Sequence, residues 1–244
     1  RLRNLFETFR SRLISPAAFP SVFAGCSSFE IFCHILLCAL IVLALTLAIS
    51  PPVATDALVY HLAVPKAYME HHGVVNLPNN IYSYFPLHIE MIYLFSLMLK
   101  GEALAQFSGL GISLLLPAAM TVFYKRYLSD RCAALVPALF LATPVFWQGA
   151  SAAYVDLPAA VFVFLAYYAW DRWRTTERDG WFLLASIFAS AAVASKLTAV
   201  VALPLVFLGI VLQCRQRGAD VGWIVGKVIL LALAVLLFLA PWWA

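Results

Sequence analysis

The sequence predicts an all-α integral membrane protein of about seven transmembrane helices, plus one long external loop with two interfacial helices. Three observations lead there. Hydrophobic residues make up 64% of the 244 and charged residues 11%, against roughly half and a quarter in a soluble domain. Several apolar runs approach the roughly 20 residues that a helix needs to cross a hydrocarbon core of about 30 Å. None of these runs alternates apolar with polar residues as a transmembrane β-barrel strand does. The mean hydropathy of +0.91 agrees.

The elements follow in order. Residues 1–29, opening "RLRNLFETFRSRL", are basic and mildly amphipathic, and the apolar run behind them is too long for a signal-peptide core and has no small-residue cleavage site. They read as a cytoplasmic interfacial segment leading into an uncleaved first span. The apolar runs are 31–50, 104–123, 132–148, 156–170, 181–195, 198–213 and 223–241. The stretch "FPLHIEMIYLFSLMLK", residues 85–100, is ambiguous: apolar on balance, but short and carrying His88 and Glu90.

Arginine placement resolves it, because short cytoplasmic loops retain Lys and Arg while translocated ones avoid them. If 85–100 does not cross, Arg126, Arg131, Arg172, Arg174, Arg178, Arg215 and Arg217 all join Arg1, Arg3, Arg10 and Arg12 on the cytoplasmic side. If it crosses, those first seven are exported instead. The first topology puts the N-terminus inside and makes 51–103 a single external loop. Its two surface helices are "DALVYHLAVPKAYMEHHG" and "PLHIEMIYLFSLMLKG", with Tyr82, Tyr84 and Tyr93 at headgroup level. No internal repeat is visible, so 1–244 reads as one membrane domain. The sequence starts without Met and ends at "LAPWWA" as the seventh helix reaches the outer face, so a further C-terminal part is expected.

The net charge of +4 comes from this loop asymmetry, and no basic patch with interleaved aromatics points to nucleic acid. Cys26, Cys33, Cys38, Cys132 and Cys214 are odd in number and contain no CxxC pair, which argues against a disulfide framework or a metal cluster.

With sidedness set, few polar residues face outward. Asp56 follows the first span, Asp156 in "SAAYVDLPAAV" opens the fourth, and Lys196 in "ASKLTAVV" sits in the turn between the fifth and sixth. Each has a plain reading as a helix cap or a snorkelling lysine. Odd-numbered spans end outside and even-numbered ones start there, so all three meet at one depth. Two carboxylates and an amine at one rim suit chemistry on an anionic lipid: one acid as general base, the other holding a metal ion or positioning the acceptor, the lysine neutralising a phosphate. Tyr60, four residues after Asp56, and His61 beside it are candidates for positioning a substrate hydroxyl. Glu90 and His88 read as helix-start residues, Lys66 and Lys100 as headgroup contacts, and His34 as hydrogen-bonded within the bundle.

These residues also carry a resemblance. The external acid soon after the first span, then "YHLAVPKAYMEHHG", "YFPLHIEMIY", "TPVFWQGASAAYVDLPAAVFVFLA", "ASKLTAVVALP" and "APWW", together resemble the GT-C superfamily of integral membrane glycosyltransferases over residues 30–244. The branch looks like the polyprenyl-phosphate-sugar-dependent enzymes related to protein O-mannosyltransferases and the lipid A aminoarabinose transferase. The resemblance implies inverting transfer of a sugar from a polyprenyl-phosphate donor to a lipid, glycan or protein acceptor. The site would face the periplasm or exterior of a bacterial inner membrane. It implies Asp56 as catalytic base, Asp156 as an aid to a Mg or Mn ion or to the acceptor, and Lys196 at the donor phosphate. Ala57 follows Asp56 where the O-mannosyltransferases have an Asp-Glu pair, and Tyr154 precedes Asp156 where oligosaccharyltransferases have Asp-x-Asp. The alternative expectation is a transporter or flippase of an anionic polyprenyl-linked lipid. The lack of paired repeats and of midplane charges weighs against it.

Overall fold

The structure, a computed structural model, describes residues 27–128 and 133–242. The basic segment expected at 1–29 therefore lies outside the described residues except for its end, as do Cys26, Arg131 and Cys132. Among the described residues every regular element is helical and none is a strand.

Helix α1 is Ser28–Ile49. It starts with a capping box: the Glu30 amide donates to Ser27 Oγ at 3.3 Å, and the Ser27 amide donates to the Glu30 carboxylate at 2.7 Å. It stops because Ser50 precedes Pro51 and adopts extended backbone (ψ 149). His34 bonds the carbonyl of Glu30 one turn back in the same helix.

The first expected surface helix comes in two pieces. A π-helical turn, Ala57–His61, closes with the Leu62 amide on the Ala57 carbonyl at 2.9 Å, and α2, Ala63–Glu70, follows. A short 3₁₀ turn, Ile81–Tyr84, leads to α3, His88–Lys100. At 1.5 Å per residue α3 is about 20 Å long, short of a hydrocarbon core of about 30 Å. It does not continue into the next helix, because Gly101 takes a φ of +84 that favours glycine and turns the chain back. Helix α4, Glu102–Tyr127, then runs beside α3: Ser96 Oγ meets Ser108 Oγ at 2.8 Å, and Tyr93 packs against Gly109. Phe95, Met98 and Leu99 remain exposed on the other side of α3, an apolar strip free to face lipid.

The run expected at 132–148 is interrupted. Helices α5, Leu135–Ala142, and α6, Pro144–Ser151, are separated at Thr143, which Pro144 forces into extended backbone. Then come α7, Asp156–Thr176; α8, Asp179–Ser195; a 3₁₀ turn, Leu197–Val201, running into α9, Ala202–Arg217; and α10, Val221–Leu239. Among the described residues four helical segments are long and apolar enough to cross a membrane: Ser28–Ile49, Glu102–Tyr127, Leu197–Arg217 and Val221–Trp242. A fifth is reached if α6 and α7, bent by 106°, count as one. Helix α8 is apolar but has 17 residues, and α7 carries Asp171, Arg172 and Arg174 in its last turns.

Helix α8 is the buried centre, with Ala185, Ser186, Ala189, Ser190, Ala192 and Ala194 all inside. Small side chains let α7 and α10 approach closely, and the serine hydroxyls bond carbonyls one turn back, leaving no polar group stranded. At the far end from Asp156 a second polar layer forms: Arg174 bonds Asp171 at 3.1 Å, and Lys227 pairs with Asp179 at 2.7 Å beside the stacked rings of Trp173 and Trp223.

The α3–α4 contact makes a test. A Cβ on Gly109 would stand 2.7 Å from Tyr93 Oη, which donates to the Tyr154 carbonyl at 2.8 Å. Gly109→Ala is expected to cost about 1–3 kcal/mol by overpacking. Thermal unfolding should show part of that loss recovered when Tyr93→Phe is added, because the two sites touch.

Candidate functional site

Three segments converge beside α3. The first is anchored by Gln106 on α4, whose Nε2 donates to the carbonyls of Ala48 and Ser50 at 3.1 and 2.7 Å. Those are the orphan carbonyls at the end of α1, so the bond fixes where the chain leaves the helix and hence where Asp56 stands. Asp56 precedes the π-helical turn, is exposed, and makes no capping bond. The capping role open to it in the sequence is not taken.

The π-helical turn sets Tyr60 and His61 side by side, ring centroids 3.9 Å apart. Asn80 holds the turn from outside: its Nδ2 donates to the Val59 carbonyl at 2.9 Å, and its Oδ1 accepts from the Tyr82 amide at 3.1 Å. Tyr82 is thereby stacked on Tyr60, centroids 4.0 Å apart. His61 is 1% exposed, and its Nδ1 lies 2.7 Å from Glu90 Oε1, also 1% exposed. Glu90 lies in the first turn of α3, as read from the sequence, but makes no cap bond: its carboxylate belongs to a pair spanning two elements of the loop. Burial raises the Glu90 carboxyl above its ordinary value, against the lowering pull of His61 and, more weakly, of Lys196.

The third segment is the end of α8. Lys196 caps that helix in extended backbone (φ −156, ψ 122), and its Nζ pairs with Asp156 Oδ1 at the first turn of α7. Asp156 makes no side-chain cap bond, and Lys196 does not simply snorkel. The three charges read from the sequence therefore stand as one ion pair and one exposed acid. Tyr60 links them: burial raises its phenol most, and the charges of Asp56, Glu90 and Asp156 all raise it further. All three acids are within electrostatic reach of that one hydroxyl.

A cavity of about 310 Å³ opens where these groups meet, walled by Tyr60, His61, Tyr82, Glu90, Lys196 and Thr198. A larger one of about 680 Å³ lies beside it, bounded by Val53, Ala54, Trp147, Gln148, Ser151 and Tyr154. Tyr154 is common ground, since its ring stands 5.8 Å from that of His61. An apolar groove of about 130 Å³ runs between α7 and α9, with Tyr167, Trp170 and Gly209 in its wall.

Of the two acids expected to hold a Mg or Mn ion, Asp56 and Asp156, the second gives one carboxylate oxygen to the Lys196 ammonium and keeps the other. Among the described residues no three His, Cys, Asp or Glu side chains converge as a metal site. Lys66 pairs with Glu102 at the start of α4 and stays partly exposed. His71 bonds the Ala67 carbonyl behind it, and Cys33, Cys38 and Cys214 are free thiols.

Residues 8–242 match the model of a family described as Domain of unknown function (DUF8201). No curated protein and no solved structure matches the chain.

Proposed function

We propose that this chain, which belongs to the DUF8201 family, is a membrane glycosyltransferase that moves a sugar from a polyprenyl-phosphate donor to a hydroxyl acceptor. The observation that carries the reading is one cavity walled by Lys196 and the His61–Glu90 pair, with Asp156 paired to that lysine and Asp56 within electrostatic reach of Tyr60 in the same wall. Asp56 is the exposed, unpaired carboxylate of the set and acts as the general base. It removes the acceptor proton as the hydroxyl oxygen attacks the anomeric carbon from the side opposite the phosphate. The bond to the phosphate oxygen breaks, its electron pair stays on that oxygen, and Lys196 balances the charge. Asp156 holds the lysine in place.

In this reading seven segments cross, with α5 and α6 together counting as one, and the site faces away from the cytoplasm. Membrane geometry favours a lipid-linked substrate. Asp156 and Asp171 lie on one helix, about 22 Å apart at 1.5 Å per residue. That is less than the hydrocarbon thickness of about 30 Å, so the site is sunk into the outer leaflet or the bilayer thins around it. A charged head entering from the side reaches the cavity without leaving the lipid, and the groove between α7 and α9 is available to its tail.

Donor turnover tests the reading. The full-length protein in sealed vesicles is given a synthetic polyprenyl-phosphate sugar and a mixture of acceptor hydroxyls. Released polyprenyl phosphate supports transfer. Intact donor on the opposite leaflet shows a flippase, and neither shows a protein without either activity. Lys196→Met should lower turnover by tenfold or more. The pair is half in solvent, so its loss should cost no more than about 1 kcal/mol of stability, which thermal unfolding checks.

A further inference from the structure

Two buried polar atoms of the site have no partner: His61 Nε2 and Glu90 Oε2. Both residues wall the cavity of about 310 Å³. Buried polar atoms are nearly always hydrogen-bonded, so an orphan at a cavity wall marks where a polar atom of a ligand sits.

The chemistry of that ligand follows from the protons. His61 Nδ1 and Glu90 Oε1 are 2.7 Å apart, so one proton lies between them and the ring is fixed. At 1% exposure a net charge on the pair is costly, and the pair rests neutral. It is then either a carboxylic acid on an imidazole or a carboxylate on an imidazolium. In both forms Nε2 carries a hydrogen, so it is a donor directed at the cavity. The cation at the same wall is Lys196. A donor and an ammonium together call for acceptor oxygens with negative charge.

We propose that His61 donates a hydrogen bond from Nε2 to an oxygen of a lipid-linked phosphate diester seated beside Lys196, with Glu90 as the positioning residue that keeps the imidazole protonated and oriented. The proposal rests on the transferase reading in taking the diester to be that of the sugar donor. The other titratable groups facing the pair are Tyr60, Tyr68, Tyr93, Tyr154 and Lys196, while Asp56 and Asp156 act on Tyr60 in the same wall. Tyr60, Tyr68 and Tyr93 are raised by burial and stay neutral at working pH.

The test is binding of farnesyl methyl phosphate to the full-length protein in nanodiscs. This diester keeps one charge at all working pH values. His61→Asn leaves a donor for Glu90 but removes Nε2, and should weaken binding about tenfold to a hundredfold. Glu90→Gln, whose amide can donate to Nδ1 and so keep the hydrogen on Nε2, should retain most of the binding, whereas Glu90→Leu, which leaves Nδ1 without a partner, should weaken it about tenfold. Dimethyl phosphate, lacking a tail, should compete only weakly. Strong competition by phosphatidylglycerol would overturn the sugar donor as the occupant in favour of bilayer phospholipid. A ¹⁵N-histidine spectrum of the unmutated chain needs no variant to fold, and one Nε2 signal should shift on adding the diester. Equal affinity in His61→Asn, affinity in Glu90→Leu no weaker than in Glu90→Gln, or no shifted imidazole signal each overturns the proposal. If donor turnover is present while binding ignores His61, the transferase reading stands and this inference alone falls. If the unmutated chain binds no diester, both fall.

Discussion

Asp56→Asn is expected to lower sugar transfer by about 10² to 10⁴ while leaving the chain folded. The amide is the same size but cannot take the acceptor proton. The fold should hold because Asp56 is exposed, caps nothing and has no ion-pair partner among the described residues. Single-turnover release of polyprenyl phosphate measures the first effect and thermal unfolding the second. Near-normal release would remove Asp56 from the chemistry and leave the ion pair of α7 and α8 to explain it.

The largest stability effect is expected at the buried pair. His61→Leu leaves the Glu90 carboxyl enclosed without its partner, a change worth about 3–5 kcal/mol when a buried ionic pair is broken from one side. The double change His61→Leu with Glu90→Leu should cost much less, because two apolar side chains leave nothing unsatisfied. Chemical unfolding in detergent measures both, and a double variant no better than the sum of the singles would mean that the two residues are not coupled. The pH profile of stability has the matching sign. Burial raises Glu90, so the folded chain prefers it protonated. That contribution is complete below the ordinary glutamate value and is lost as pH climbs through the raised one. Glu90→Gln should remove that slope.

The two pairs differ in how far the sequence exposes them. Lys196 and Asp156 meet because the end of α8 lies beside the start of α7, an arrangement expected from the order of the apolar runs and the positions of the arginines. His61 and Glu90 are 29 residues apart in a loop without regular period, and nothing in their local composition links them. The available signal was an acid in the first turn of an otherwise apolar helix, which a cap explains equally well. Gln106 was hidden for a similar reason: a glutamine inside an apolar run has no sequence mark showing that it holds the carbonyls of another helix.

Helix positions were more legible than helix integrity. Among the described residues the apolar runs lie on helix apart from local breaks such as Thr143, because burial in lipid or protein dictates apolar character whatever the packing. The division of 132–148 turns on Pro144 and its effect on Thr143, and the break at Leu62 turns on a π-helical turn that no apolar period encodes. Helix α3 lies beside α4 because one glycine, Gly101, can take a positive φ, where a side chain would have favoured an unbroken helix.

The site exists only if the loop 51–103 and the turn at Lys196 face the same side of the membrane, and cysteine labelling reads this directly. In a cysteine-free background, Asn79→Cys, Thr198→Cys, Glu177→Cys and Arg215→Cys place one thiol each at exposed positions. Intact cells treated with a membrane-impermeant maleimide should label positions 79 and 198, while 177 and 215 should react only after permeabilisation. Labelling of 79 and 198 from opposite sides would separate His61 and Glu90 from Lys196 and contradict the account at its root.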